Sequence, residues 1–477
     1  MCHGSPTQSF ANDLAETTLP VQETDITDFR QVWEVWPGNP NNNPKDIIGV
    51  KPILIAIVTI TMLRSIPLNA AVSYIVRDLG AVTPTGINDN SQIVGNTTDG
   101  RAFVFDYKGQ SLAFLPPLSQ GGTAVAEAIN NAGVIVGSSV NYACRWNPSS
   151  GSYVATALAP LGSGMEGVAY AINNTGEIVG QLEVLQQGSL DFLPFMYTVG
   201  PMVNIGAIGV PPPAIGVAGA AAFGVNNSGQ IVGVSPAFFG FAAFIYQNGQ
   251  MQQLFPNPDL GSGAIYTQAN AINNLGQVVG TIQQRAFGTD EILSSTAFIY
   301  STNTGRQTLN NPLGGQNAEA LGINDSGTIV GYSYGWGNVS YVSSHAAIWT
   351  MATTDGIPDP TKITDADLNT LLVGNDGVFN PHWVIQRAIA INSAGQILAL
   401  GINLNSIDVT VHGLLVIPPK TPAELALSLV GAPYSLGGKG WNGEEYVSQA
   451  QVSYRGYSLH YQKTQPRLLG GLSSSDF

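Results

Sequence analysis

Short apolar runs rich in Val, Ile and Phe alternate with polar, glycine-containing breaks from residue 74 to residue 418, a pattern that predicts strands and tight turns. One stretch recurs throughout: small, any, small, Ile/Val, Asn, Asn/Asp, any, Gly, any, Ile/Val, Val/Leu, Gly. Its first asparagine falls at Asn88, Asn130, Asn173, Asn226, Asn273, Asn324 and Asn392. Two β-branched runs flanking Asn-Asn-x-Gly predict a hairpin, because Asx side chains favour turn entry and glycine tolerates the positive φ of a bulged turn. Gly133, Gly176, Gly229, Gly276, Gly327 and Gly395 hold that position, and Ser91 replaces glycine in the first copy. These asparagines and glycines are expected to be structural, each side-chain amide satisfying backbone groups of its own turn.

A third apolar strand follows each hairpin, at residues 102–105, 143–146, 194–197, 243–246, 297–300, 347–349 and 413–416. A fourth follows at 112–118, 155–162, 203–209, 251–261 and 307–314. In the sixth copy Asp365, Ala366, Asp367, Leu368 and Asn369 resemble the start of a short helix instead, and after the seventh no fourth strand follows. A matching segment stands ahead of the first hairpin, at residues 74–80. Units of about 40 to 50 residues with four strands each predict propeller blades. The predicted fold is all-β: a seven-bladed β-propeller of four-stranded blades over residues 74–418, closed by the N-terminal strand pairing into the last blade, which removes open edges. An open solenoid of hairpins is the alternative. Cys144 stands at a Phe position of the third strand, which makes it a core residue rather than a nucleophile.

The motif Ala-Ile-Asn-Asn-x-Gly-x-Ile-Val-Gly followed by Ala-Phe-x-Tyr/Trp resembles the HAF repeat, named for its third-strand residues and found in extracellular proteins of bacteria. All copies over residues 74–418 match, and the stretches 367–372 and 390–397 look like the last repeat of such proteins. The resemblance implies export and supplies no catalytic residues. Further on, Gly431, Ala432, Pro433, Tyr434, Gly437 and Gly438 resemble the opening of NlpC-type papain-like cell-wall amidases. In that family a nucleophilic cysteine follows shortly afterwards, whereas residues 441–448 contain none. Without a thiolate that chemistry fails, so residues 419–477 are expected to be a degenerate or poorly ordered tail.

Ahead of the repeats, residues 1–49 are acidic and polar and are expected to be a disordered leader, or sequence preceding a true start at Val50. Residues 50–71 carry Lys51, an apolar run at 52–63 and the small residues Asn69, Ala70 and Ala71. A bilayer span needs about 20 apolar residues, so this shorter run reads as a signal peptide, with a short anchor or a core strand as alternatives. A secreted protein, extracellular or periplasmic, without stable membrane insertion after signal cleavage is the expectation. Only 10% of residues are charged while Gly 56 and Pro 29 are abundant, which excludes a coiled coil or a mostly helical fold. A net charge of -14 repels phosphate backbones, which removes nucleic acid as a partner. Cys2 and Cys144 cannot build a disulfide framework or a metal cluster.

The histidines His3, His345, His382, His412 and His460 lack ligand spacing, and neither a metal nor a cofactor is expected. Asp355, Asp359, Asp365, Asp367 and Asp376 read as a solvated insert, with calcium as the alternative. The variable first-strand position that approaches the channel is Thr85, Glu127, Tyr170, Phe223, Asn270, Leu321 and Ile389. With Glu127 its sole carboxylate, no acid/base pair is expected there. Long loops at 181–193, 281–296 and 332–345 are expected on one rim. In the last of them Tyr332, Tyr334, Trp336 and Tyr341 form a candidate stacking platform for a sugar, unless they pack on the neighbouring blade. The expected function is non-catalytic binding of an extracellular glycan or protein through this rim. A propeller-based polysaccharide hydrolase or lyase, and a structural surface protein, are the alternatives.

Overall fold

The computed structural model describes residues 74–419, apart from 160–165, 187–188, 209–218, 238–239, 257–263, 287–291, 316, 335–343, 355, 373–381 and 406–409, together with residues 452–454 and 457–459. The leader, the signal-peptide-like segment and the rest of the C-terminal tail lie outside the described residues.

The fold is all-β and is built from four-stranded antiparallel sheets. In one of them, Ala264–Ile272, Val278–Arg285, Ile292–Ser301 and Gly305–Thr308 pair in chain order. The same order recurs in the sheets that begin at Val82, Ala124, Glu166, Ala221 and Asn317. The last sheet, begun by Trp383–Ile391, takes Ile75–Asp78 as its fourth strand, with Ile75 opposite Ile417 and Asp78 opposite Leu414. His412 Nδ1 sits 2.9 Å from Asp78 Oδ1 across this pair. Short parallel pairings of Phe241 with Tyr266 and of Ser295 with Asn317 join three sheets into a continuous twelve-stranded one.

Two expectations about the strands need correction. The sixth unit does have a fourth strand, Ile357–Asp367, and the helical segment is a single 3-10 turn, Leu368–Leu371, capped by the Asp367 carboxylate. Two of the three stretches read as long loops are largely strand: Ile178–Gln186 pairs with Ser189–Tyr197, and Val278–Arg285 with Ile292–Ser301, well past the Ile-Val-Gly motif. Glycine there marks a close approach, not the end of pairing.

That close approach has a cause in the first strand. Its register slips at Thr85, Glu127, Tyr170, Phe223, Asn270, Leu321 and Ile389, each lying between paired neighbours without a partner of its own. A β-bulge of this kind bends the strand and re-aims the extra side chain. The carbonyl two residues earlier then leans over the second strand, so that a Cβ on Gly280 would stand 2.0 Å from the Gln268 oxygen. Apolar clusters fill the space between successive sheets. One joins Val279 and Ile299 to Ala320, Ile329 and Trp349, and another joins Ile93 and Phe103 to Leu398 and Leu415. Cys144 is fully buried among such residues, and burial pushes its thiol far up, out of the nucleophilic range.

The hairpin turns also connect the sheets. Asn226 Oδ1 accepts from the backbone N–H groups of Ser228 and Gln230 at 3.1 and 3.0 Å, which holds the turn. Gly229, at φ 75, takes the left-handed position, as Ser91 does at φ 66 in the first copy. The Asn226 amide then donates to the Asn273 carbonyl of the next sheet at 3.1 Å. Equivalent bonds run from Asn88 to Asn130, Asn130 to Asn173, Asn173 to Asn226, Asn273 to Asn324 and Asn324 to Asn392. The succession returns from Asn392 to the Asn88 carbonyl at 3.0 Å.

Candidate ligand cavity

Several of the bulged side chains reach the next sheet. Thr85 Oγ1 donates to the Ala126 carbonyl at 2.9 Å, Asn270 Nδ2 donates to the Ala320 carbonyl at 2.7 Å, and the Tyr170 and Phe223 rings lie 5.4 Å apart. Phe223, Asn270 and Leu321 also line a cavity of about 380 Å³. This cavity lies at the opposite ends of the strands from the asparagine turns, where the second strand hands over to the third.

Its wall combines flat aromatic surface with polar groups. Tyr266 stacks on Phe241 with centroids 5.1 Å apart, and the Arg285 guanidinium lies 4.5 Å from the Tyr266 centroid. The parallel pairing of Phe241 with Tyr266 sets these rings side by side. Arg285 donates to Gln283 Oε1 at 2.9 Å, and Gln283 in turn donates to Glu319 Oε1 at 3.1 Å. Ser295 Oγ donates to the same carboxylate oxygen at 3.2 Å. Gln181, Gln268, Arg387, Thr267 and Thr281 add to the polar lining. Aromatic faces surrounded by amide donors and acceptors suit a ligand with an apolar face and a polar edge.

Tyr332 and Tyr334 close the strand Thr328–Tyr334 and are only 4% and 5% exposed. The expectation of an exposed platform is therefore corrected at these two positions: pairing to Ser344 and Ala346 continues the strand and turns both rings inward, edge to face at 5.4 Å. Tyr332 lies behind the cavity wall, hydrogen-bonded to Glu319, and burial together with the Glu319 charge drives its hydroxyl far up. Trp336 and Tyr341 lie outside the described residues. Sequence reasoning missed Tyr266, Arg285, Glu319 and Arg387, although two cations in otherwise apolar or amide-rich strands of so weakly charged a chain were a usable signal.

The candidate ionisable groups are dispersed. His345 Nδ1 pairs with Asp367 Oδ2 at 2.7 Å, and a hydrogen bond to that carboxylate raises the imidazole. Asp359 accepts from Thr361, while Asp355 and Asp376 lie outside the described residues. Among the described residues no three His, Cys, Asp or Glu side chains converge to hold a metal ion. Nor is any helix among them long and apolar enough to cross a membrane.

Glu127 stands apart as the one carboxyl among the bulged first-strand positions, and burial pushes it up to about 7 from 4.5. Because the folded value lies above the ordinary one, its ionisation opposes folding: the cost is absent below about pH 4.5 and complete above 7. Glu127→Gln is expected to leave the melting temperature unchanged at pH 4 and to raise it at pH 8, by the equivalent of about 2 to 3 kcal/mol. Thermal melts of both proteins across this range check the prediction, and a constant difference at all pH values contradicts it.

Residues 216–450 match the family described as "Protein of unknown function (DUF3466)". No curated protein matches the chain in sequence. Among solved structures, the chain is similar to virginiamycin B lyase from Staphylococcus aureus, at 10% identity and a TM-score of 0.39, over 72% of this chain and 100% of that one. It is also similar to an oligogalacturonate lyase from Vibrio parahaemolyticus, at 8% identity and a TM-score of 0.42, over 72% and 93%. A third is YCF48 bound to D1 peptide, at 10% identity and a TM-score of 0.39, over 72% and 95%.

Proposed function

We propose that this chain is a secreted, seven-bladed β-propeller, closed by strand Ile75–Asp78, that binds an extracellular carbohydrate without catalysis in the cavity beside Tyr266. The ring reading is supported by the asparagine succession that returns from Asn392 to Asn88, and by the apolar cluster shared by the first and last sheets. The observation that carries the binding reading is the stacked Phe241 and Tyr266 pair, flanked by Gln268, Asn270 and Gln283 on one cavity wall. A sugar presents alternating C–H faces and hydroxyl edges, and such a wall meets both.

The cavity, rather than the loop around Trp336, is thus the centre of the proposal, on the same rim the sequence points to. Export rests on the pattern of residues 50–71 and on the resemblance to the HAF repeat. A second reading, hydrolysis or elimination on a polysaccharide, draws on Glu127, whose value near 7 suits a general acid or base. It lacks a second carboxylate partner among the bulged positions, so binding without turnover is preferred.

The test is a glycan array probed with the secreted chain and with Tyr266→Ala. Specific retention that falls about tenfold or more in the variant, with an unchanged melting temperature, supports the reading. Retention unaltered by Tyr266→Ala removes the cavity from the function. Turnover of a bound polysaccharide that Glu127→Gln abolishes replaces it with the enzymatic reading.

A further inference from the structure

The two arginines of the cavity wall are in different circumstances. Arg285 is engaged, with its guanidinium on Gln283 and over Tyr266. Arg387 lies with its guanidinium 4.7 Å from the Tyr332 centroid, its Nε is buried without a hydrogen-bond partner, and it forms no ion pair among the described residues. Among the described residues lining the cavity Glu319 is the only carboxylate, and it is hydrogen-bonded to Gln283, Ser295 and Tyr332. A half-buried cation without a counter-ion is unfavourable, because desolvation is not offset by a partner.

We infer that Arg387 is the recognition point for an oxyanion, a carboxylate or a phosphate ester, carried by the ligand that the cavity holds. This rests on the cavity being the binding site and adds the chemical class of the ligand. A planar guanidinium presents a fork of donors matched to two oxygens of one oxyanion. Tyr332 supports it from behind: the ring faces the cation, while its hydroxyl is hydrogen-bonded to Glu319. The body of the ligand then extends toward Tyr266 and Phe241. With a net charge of -14 the chain as a whole repels anions, so a preference for an acidic ligand has to come from this local contact.

Calorimetric titration with a matched set of glucose, glucuronate and glucose 6-phosphate tests the inference on the wild type, Arg387→Gln, Arg387→Lys and Tyr266→Ala. The expected result is that one acidic hexose binds the wild type at least about tenfold more tightly than glucose. Arg387→Gln removes that preference while leaving glucose unaffected, and Arg387→Lys keeps part of it because the charge survives without the fork. Which acid is preferred separates a carboxylate from a phosphate. An acid preference that persists in Arg387→Gln while Tyr266→Ala abolishes binding overturns the oxyanion assignment and leaves the cavity reading standing. Binding unchanged in both variants, or absent from the wild type, overturns the two together. Arg387→Lys retains the charge and the packing stem, so a folded variant is available should Arg387→Gln misfold.

Discussion

Replacing Gly280 by alanine is expected to prevent stable folding, or to cost at least about 3 kcal/mol where folded protein is recovered. The added methyl would stand 2.0 Å from the Gln268 carbonyl oxygen and 2.8 Å from the Phe298 ring, and neither neighbour has room to retreat. The carbonyl is fixed by the bulge at Asn270, where the register of the first strand slips, and Phe298 is fully buried between two sheets. Overpacking on this scale forces the backbone itself to move, which exceeds the usual cost of an oversized core side chain. Gly305→Ala, at φ 68 with open space where the methyl would stand, is the control: it is expected to cost only the strain of a left-handed residue, about 1 kcal/mol. Denaturant melts of the two variants give the comparison, and a Gly280→Ala protein as stable as Gly305→Ala would contradict the close-approach account.

The same glycine shows how far a sequence carries such a structure. Turn chemistry is local: Asn226 and Gly229 act within five residues, so pattern alone points to the hairpin and to the left-handed position. The bulged position also leaves a mark, because one variable residue recurs in a constant frame, and Phe223, Asn270 and Leu321 do line the cavity. Gly280 was different. A strand that continues through a glycine and one that ends there look alike in sequence, so residues 181–193 and 281–296 suggest loops although most of them are paired strand. The cavity was less accessible still, since Tyr266, Glu319 and Arg387 come from separate four-stranded units, brought together by the pairing and packing of one unit on the next. For Tyr332 the sequence shows an aromatic among Gly and Ser, and nothing local reveals that pairing with Ala346 buries it.

The unit-to-unit leg of the asparagine was equally hidden, and it supports the second large prediction. Asn226→Ala is expected to lower stability by about 2 to 4 kcal/mol, since it removes the acceptor for two backbone N–H groups and the donor to the Asn273 carbonyl in a site only 3% exposed. Asn226→Asp separates the two functions. Its carboxylate still accepts from Ser228 and Gln230, but it cannot donate to Asn273, and its charge would face that carbonyl and Gln230 Oε1. The ionised form is therefore disfavoured, and the folded protein holds the proton more tightly than the unfolded chain. Stability should recover as the pH falls and the acid regains a donor, and should be lost as the pH rises through the elevated value. Asn392→Ala extends the argument to the proposed ring. Asn392 links the last sheet to Asn88, so in a closed ring its loss should cost as much as that of Asn226; in an open array that link spans two ends with little else to hold, and its loss should cost much less. Equal shifts of the melting temperature in Asn226→Ala and Asn392→Ala are the expected outcome, because the strand Ile75–Asp78 and the Ile93, Phe103, Leu398 and Leu415 cluster hold that junction as firmly as any other.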